Sequence, residues 1–236
     1  MLQNVLFLII VLVTNIIQAI TGFAGTLLAM PASIMLVGAD DAKVMLNLVT
    51  LATCVILAVR NRKYIQWKIL IRILVFMAIG MAVGVWLFDL IELDLLLNIY
   101  GAMILVIAIM NLAGKQIKHI ALWAGVIVLL VSGIIHGMFL SGGGLLVVYA
   151  TIVLKDKNEF RATISSVWVV LNTILLVQQF ASGQITQHNG IFALIACVPA
   201  LVGVLIGNKL HDRMSGQAFM RLTYVLLIVS GVLCFF

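Results

Sequence analysis

Ten runs of apolar residues, separated by short polar loops, leave this chain one solvent in which to bury its surface, a lipid bilayer. The runs cover roughly residues 2–20, 23–38, 42–59, 69–88, 95–113, 119–137, 144–154, 162–181, 190–208 and 218–236. Only 9% of the 236 residues are charged, about a third of the share in a soluble domain. The expected class is therefore an all-α polytopic membrane protein. The first run, residues 5–20, lacks a basic flank and leads into Gly22-Phe23-Ala24-Gly25 rather than a small-residue cleavage site, so it is read as retained. Cys54, Cys197 and Cys234 all sit in apolar runs without ligand spacing, and neither a metal nor another cofactor is expected. The net charge of +6 comes from basic residues scattered among loops, which is the pattern of membrane topology and not of a nucleic-acid surface.

A helix needs about 20 residues to cross a bilayer. The second and seventh runs are short, and each follows a full-length run across a glycine break, "TGFAG" and then "LSGGG". A helical hairpin with its tip inside the bilayer fits both, because irregular backbone survives at that depth only where protein or a wet cavity satisfies it. Whether the short arms span or re-enter is left open by length alone. If every segment reverses direction, one side holds Arg60, Arg62, Lys63, Lys68, Arg72, Lys115, Lys118, Lys155, Lys157, Arg161, Lys209, Arg213 and Arg221, and the other holds Lys43 alone. Basic loops stay cytoplasmic, so both termini are expected outside the cell membrane, in a bacterium the inner membrane. Single cysteines introduced at Arg62 and at Gln187 should react with an impermeant maleimide from opposite faces; labelling of both from one face would remove this topology.

The chain also repeats itself. A shift of 118 lays Gly25, Leu27 and Leu28 on Gly143, Leu145 and Leu146; a shift of 120 lays Ala42 on Ala162; a shift of 123 lays Gly80, Gly84 and Asp89 on Gly203, Gly207 and Asp212. The reading is two repeats, 1–114 and 115–236, of about five hydrophobic segments each, every repeat opening with the glycine-broken hairpin. An odd number of segments turns the second repeat upside down. Accordingly, basic "RNRKYIQWK" in the first repeat faces uncharged "ASGQITQHN" in the second. Inverted repeats mark secondary transporters, with substrate near the midplane between broken helices.

At these residues the chain resembles the sulfite exporter TauE/SafE family of anion transporters. That family carries a twofold pattern similar to G-x-x-S-G-x-x-G-x-G-G-G-x-x-x-x-P, followed by a small residue about a dozen positions on. Gly133, Gly137, Gly142, Gly143 and Gly144 match the second copy, with His136 in place of serine, Leu140 in place of glycine and Tyr149 in place of proline. Thr21, Gly22, Phe23, Gly25 and Pro31 match the first copy, and Ala42 and Ala162 supply the small residues. The resemblance implies movement of small anions such as sulfite and organosulfonates.

No Asp, Glu, Lys or Arg stands deep inside a segment, so the path must be built from neutral groups and His136. Uncapped amides at the start of a half-helix carry partial positive charge, and glycine admits an anion close to them. Gly142, Gly143 and Gly144 are read as one lip of such a site and Gly22 and Gly25 as the other. Gln18, Thr21, Asn47, Thr50, His136, Ser141, Asn172 and Thr173 are candidates for a surrounding polar cavity. Gly80, Gly84, Gly203 and Gly207 read as close helix packing, and Asn15, Gln178 and Gln179 as interhelical hydrogen bonding. The partners implied are a small anion and lipid, with room for a coupling proton and for a second copy of the chain. Two alternatives stay open: a passive anion channel, and an intramembrane hydrolase with Ser141 as nucleophile and His136 as base.

Overall fold

The computed structural model describes residues 2–88, 121–154, 156–233 and 235, together with scattered helical positions from 95 to 109. Most of the expected fifth segment, Asp89, Glu92, Asp94, Lys115, Lys118, Lys155, Cys234 and the boundary between the two repeats lie outside the described residues.

Among the described residues the chain is all helical: α1 (Leu2–Thr21), α2 (Ala24–Val37), α3 (Ala39–Arg60), a short 3-10 turn (Arg62–Tyr64), α4 (Trp67–Phe88), α5 (Leu122–Phe139), α6 (Gly143–Val153), α7 (Lys157–Ala181), α8 (Gln187–Arg213) and α9 (Gly216–Leu233). Six of these, α1, α3, α4, α5, α7 and α8, are long and apolar enough to cross a membrane. With 11 residues, α6 rises only about 16 Å, half of a hydrocarbon core, and the 14 residues of α2 rise about 21 Å. Both are half-helices, as the glycine breaks imply.

Several helices outrun their apolar segments because caps extend them into polar sequence. α7 starts at Lys157 rather than near 162, since Asp156 accepts hydrogen bonds from the amides of Asn158 (2.8 Å) and Glu159 (3.0 Å). α8 starts at Gln187 behind a reciprocal cap between Thr186 and Asn189, and runs through Pro199 to Arg213. Trp67, Trp86 and Trp123 stand exposed near helix ends, as aromatic residues at the two bilayer interfaces do.

Small residues fix the main crossings. Gly80 and Gly84 of α4 lie directly on the backbone of Leu130 and Ile134 in α5, and Gly133 and Gly137 of α5 lie on that of Met77 and Met81 in return. Gly203 and Gly207 of α8 meet α1 in the same manner, against the carbonyls of Leu12 and Ile16. Membrane helices gain little from hydrophobic burial against one another, so such backbone approach supplies much of the association. Each glycine-paired helix thus clasps the helix that opens the other half of the chain. α3 and α7 pack together between these two clasps.

Candidate functional site

α1 and α2 are separated only by Gly22 and Phe23, and α5 and α6 by Leu140, Ser141 and Gly142. Gly22 turns the chain with φ +86°, and Leu140 does so with φ 54°. The left-handed region costs a branched side chain about 1 kcal/mol or more and costs glycine nothing. That accounts for glycine at this position in the family pattern, and leucine holds the same conformation here. The two breaks meet in the protein interior. Thr26 Oγ1 in α2 donates to the Leu140 carbonyl at 2.9 Å, and a Cβ built on Gly143 would sit 3.1 Å from the Phe23 ring. Gln18, Thr21, Phe23, Leu140 and Ser141 are all buried.

The breaks are chemically unlike. At the first, Gln18 Oε1 accepts from the Gly25 amide at 2.7 Å, and its Nε2 donates to the Gly22 carbonyl and Cys54 Sγ, both at 3.3 Å. Thr21 Oγ1 accepts from the amides of Phe23 (3.4 Å) and Ala24 (3.2 Å). Two side chains therefore already occupy the start of α2. At the second break no hydrogen bond from a side chain among the described residues caps α6. Ser132 Oγ instead donates to the Gly142 carbonyl at 2.6 Å, which fixes the loop and leaves the amide end of α6 to another acceptor. Gly143 and Gly144, its first two residues, are buried.

His136 lies one turn before the second break. Its Nε2 lies 2.9 Å from Asn172 Oδ1, a donated hydrogen bond in the tautomer that carries the proton on Nε2. The imidazole stacks on Trp168 with centroids 4.8 Å apart, and Trp168 Nε1 donates to the Gly22 carbonyl at 2.9 Å. Trp168 thus ties the first break to the histidine of the second. His136 Nδ1 comes near the Leu140 backbone without meeting hydrogen-bond geometry.

Asn172 and Trp168 belong to a longer feature. Arg161, Ser165, Trp168, Asn172, Leu175 and Gln179 recur every three or four residues and are all buried, while Ile174, Val177 and Phe180 on the other side are exposed. From Arg161 to Gln179 the stripe rises about 27 Å, nearly the thickness of the hydrocarbon core. At its far end Gln179 Oε1 accepts from Asn47 Nδ2 at 2.8 Å. This brings Asn47 onto the stripe through α3. Thr50 is buried one turn further along α3, and among the described residues no hydrogen bond joins it to either break; Thr173 is exposed and its hydroxyl donates to the Val169 carbonyl of its own helix at 2.6 Å, so it does not join the stripe.

The sequence reading placed His136, Asn172 and the break residues, all of which the structure brings together. It assigned Gln179 to helix packing and Arg161 to a loop, and it missed Ser165 and Trp168. Helical spacing from Asn172 is the signal that finds them. The nucleophile and base pairing of Ser141 with His136 does not form, because Ser141 Oγ donates to the Phe139 carbonyl at 2.9 Å and His136 Nε2 turns to Asn172.

Over 175 residues the chain is 29% identical to a protein of Comamonas testosteroni described as "Probable inner membrane transporter protein TsaS", covering 73% of each chain. No solved structure matches it. The model of one protein family matches residues 6–234, almost the full length, and on that match the chain belongs to the sulfite exporter TauE/SafE family.

Proposed function

We propose that this membrane transporter moves small sulfur-containing oxyanions, sulfite or an organosulfonate, across the inner membrane by alternating access, with the anion held where the two breaks meet. One observation carries the reading. Seven buried side-chain polar atoms among the described residues lack a hydrogen-bond partner, and five of them follow the α7 stripe. Arg161 Nε, Ser165 Oγ and Asn172 Nδ2 lie on it, and His136 Nδ1 and Asn47 Oδ1 belong to side chains bonded to it. The other two, Ser33 Oγ and Tyr149 Oη, lie on the half-helices α2 and α6. A buried polar atom without a partner costs about 1–3 kcal/mol. Concentrating that cost on one line through the bilayer makes sense if the line serves a polar passenger.

The anion takes the uncapped start of α6 at Gly143 and Gly144, with Asn172 Nδ2 and His136 as side-chain donors. Gln18 and Thr21 hold the first break shut. The reciprocal clasp of α4 on α5 and α8 on α1 supports two inverted repeats rocking about the α3 and α7 core. Coupling to a proton follows from the tautomer. With Nε2 donating to Asn172, an oxyanion at Nδ1 meets a lone pair unless the ring is protonated, so anion and proton bind together. In proteoliposomes, an imposed proton gradient should drive sulfite or sulfoacetate to accumulate above its outside concentration, and an uncoupler should abolish this. Flux that only ever runs downhill would identify a passive anion channel instead.

A further inference from the structure

Arg161 is the one stripe residue that carries a fixed charge, and it is 2% exposed. Among the described residues its guanidinium is held only by neutral acceptors: Nη1 donates to the Ala19 carbonyl (3.1 Å) and Asn208 Oδ1 (3.0 Å), and Nη2 to Asn61 Oδ1 (3.1 Å). Nε has no partner. Asp212 and Arg60 act on it from beyond ion-pair distance and with opposite signs. A buried cation is ordinarily paired with an anion, because removing charge from water is expensive. Among the described residues, this one touches no carboxylate. It also presses on the first break: a Cβ built on Gly22 would lie 3.2 Å from the Arg161 Cα and 3.4 Å from its Cγ. The acceptors that hold it come from three different helical segments, the end of α1, the residue after α3, and α8.

We propose that Arg161 is the anion-recognition residue at the basic, inner end of the transport path. A small oxyanion arriving there supplies the counter-charge the guanidinium lacks, displaces Asn61 and Asn208 from it, and in doing so releases α3 and α8 from the end of α1. The planar fork of arginine suits two oxygens of a sulfite or sulfonate at once. Capping the last carbonyls of α1 would need no more than the bond to Ala19. The bonds to two further segments and the unpartnered Nε are what the displacement explains.

The inference rests on the transport reading above, and the test separates the two. Sulfite binding to the purified protein in nanodiscs is measured by titration calorimetry at constant ionic strength, with the melting temperature of each variant recorded. Arg161→Lys should weaken binding at least about tenfold, since an ammonium cannot serve a bidentate anion. Asn61→Asp and Asn208→Asp are the deciding variants. Each leaves the arginine in place but builds a carboxylate against it, so the protein should melt no lower than wild type while sulfite affinity falls at least about tenfold. Wild-type affinity in a stably folded Asn61→Asp or Asn208→Asp protein would reduce Arg161 to a helix cap and overturn the proposal. Loss of the fold in both would overturn it too, by showing that the guanidinium has no room for an anion. Folded wild-type protein that binds neither sulfite nor sulfoacetate would defeat the transport reading itself.

Discussion

A leucine at Gly84 removes folded protein from the membrane, whereas a leucine at Gly143 leaves the protein in place and stops anion flux. The contrast follows from what each new side chain meets. A Cβ on Gly84 runs into the carbonyl oxygen, carbonyl carbon and Cα of Ile134, which are backbone atoms of a helix whose own Gly133 and Gly137 lie against the backbone of α4. Nothing there can rotate aside, so α4 and α5 must separate, and overpacking of this kind costs about 1–3 kcal/mol even in softer sites. A Cβ on Gly143 meets Phe23 Cδ2 at 3.1 Å, Phe23 Cβ at 3.2 Å and the Phe23 carbonyl oxygen at 3.3 Å, contacts that ease with a shift of a few tenths of an ångström at a residue outside any helix. The remainder of the leucine then covers the amide end of α6, where the anion is expected. Size-exclusion profiles of detergent extracts should show Gly84→Leu aggregated or absent and Gly143→Leu monodisperse, with sulfite flux in the latter down at least about tenfold if a charge-assisted hydrogen bond is lost. Identical behaviour of the two would make both glycines packing devices.

The same geometry shows how far the sequence could be read. Apolar length and glycine breaks located α1, α2, α4 and α6 to within a residue or two, because in a membrane the helix boundary is set by the end of the apolar run or by a break. The starts of α7 and α8 moved outward by several residues, since Asp156 and Thr186 cap helices that continue into the polar interface. Gly80 and Gly84, read as packing glycines, sit on the backbone of α5. His136 and Asn172 were each legible as rare polar groups in oil.

What stayed hidden was the partnership among residues from distant segments. Trp168 counts as apolar in any hydropathy reading, yet its indole nitrogen joins the first break to the stripe. Arg161 belongs by sequence to a basic loop and by structure to a buried site, because the cap at Asp156 pulls it into the first turns of α7. The difference between the two breaks was equally hidden. Gln18 was legible as a candidate for the polar cavity, but only the fold shows that it turns back to occupy the Gly25 amide. Similar glycine breaks in sequence therefore precede two half-helices that differ in whether a described side chain occupies their first amides.

Replacing His136 by alanine should cost at least about tenfold in sulfite transport, the value of one hydrogen bond to a charged partner, with the protein still folded. The loss has two parts. The substrate forfeits a donor beside the α6 amides, and Asn172 forfeits the acceptor–donor contact that holds it at 2.9 Å from the ring. His136→Gln separates the roles. Glutamine can offer an N–H to the anion without first taking up a proton, so binding should persist at neutral pH, while accumulation driven by a proton gradient should disappear. Flux is compared for wild type and both variants from about pH 5.5 to pH 8, the range that brackets an imidazole in water. Wild-type flux should fall as pH rises, because the anion and the proton enter the site together, and the His136→Gln profile should be flat. A glutamine variant that keeps both the pH profile and proton-driven accumulation would place the coupled proton elsewhere. An alanine variant with full flux would mean that the imidazole only ties α5 to α7.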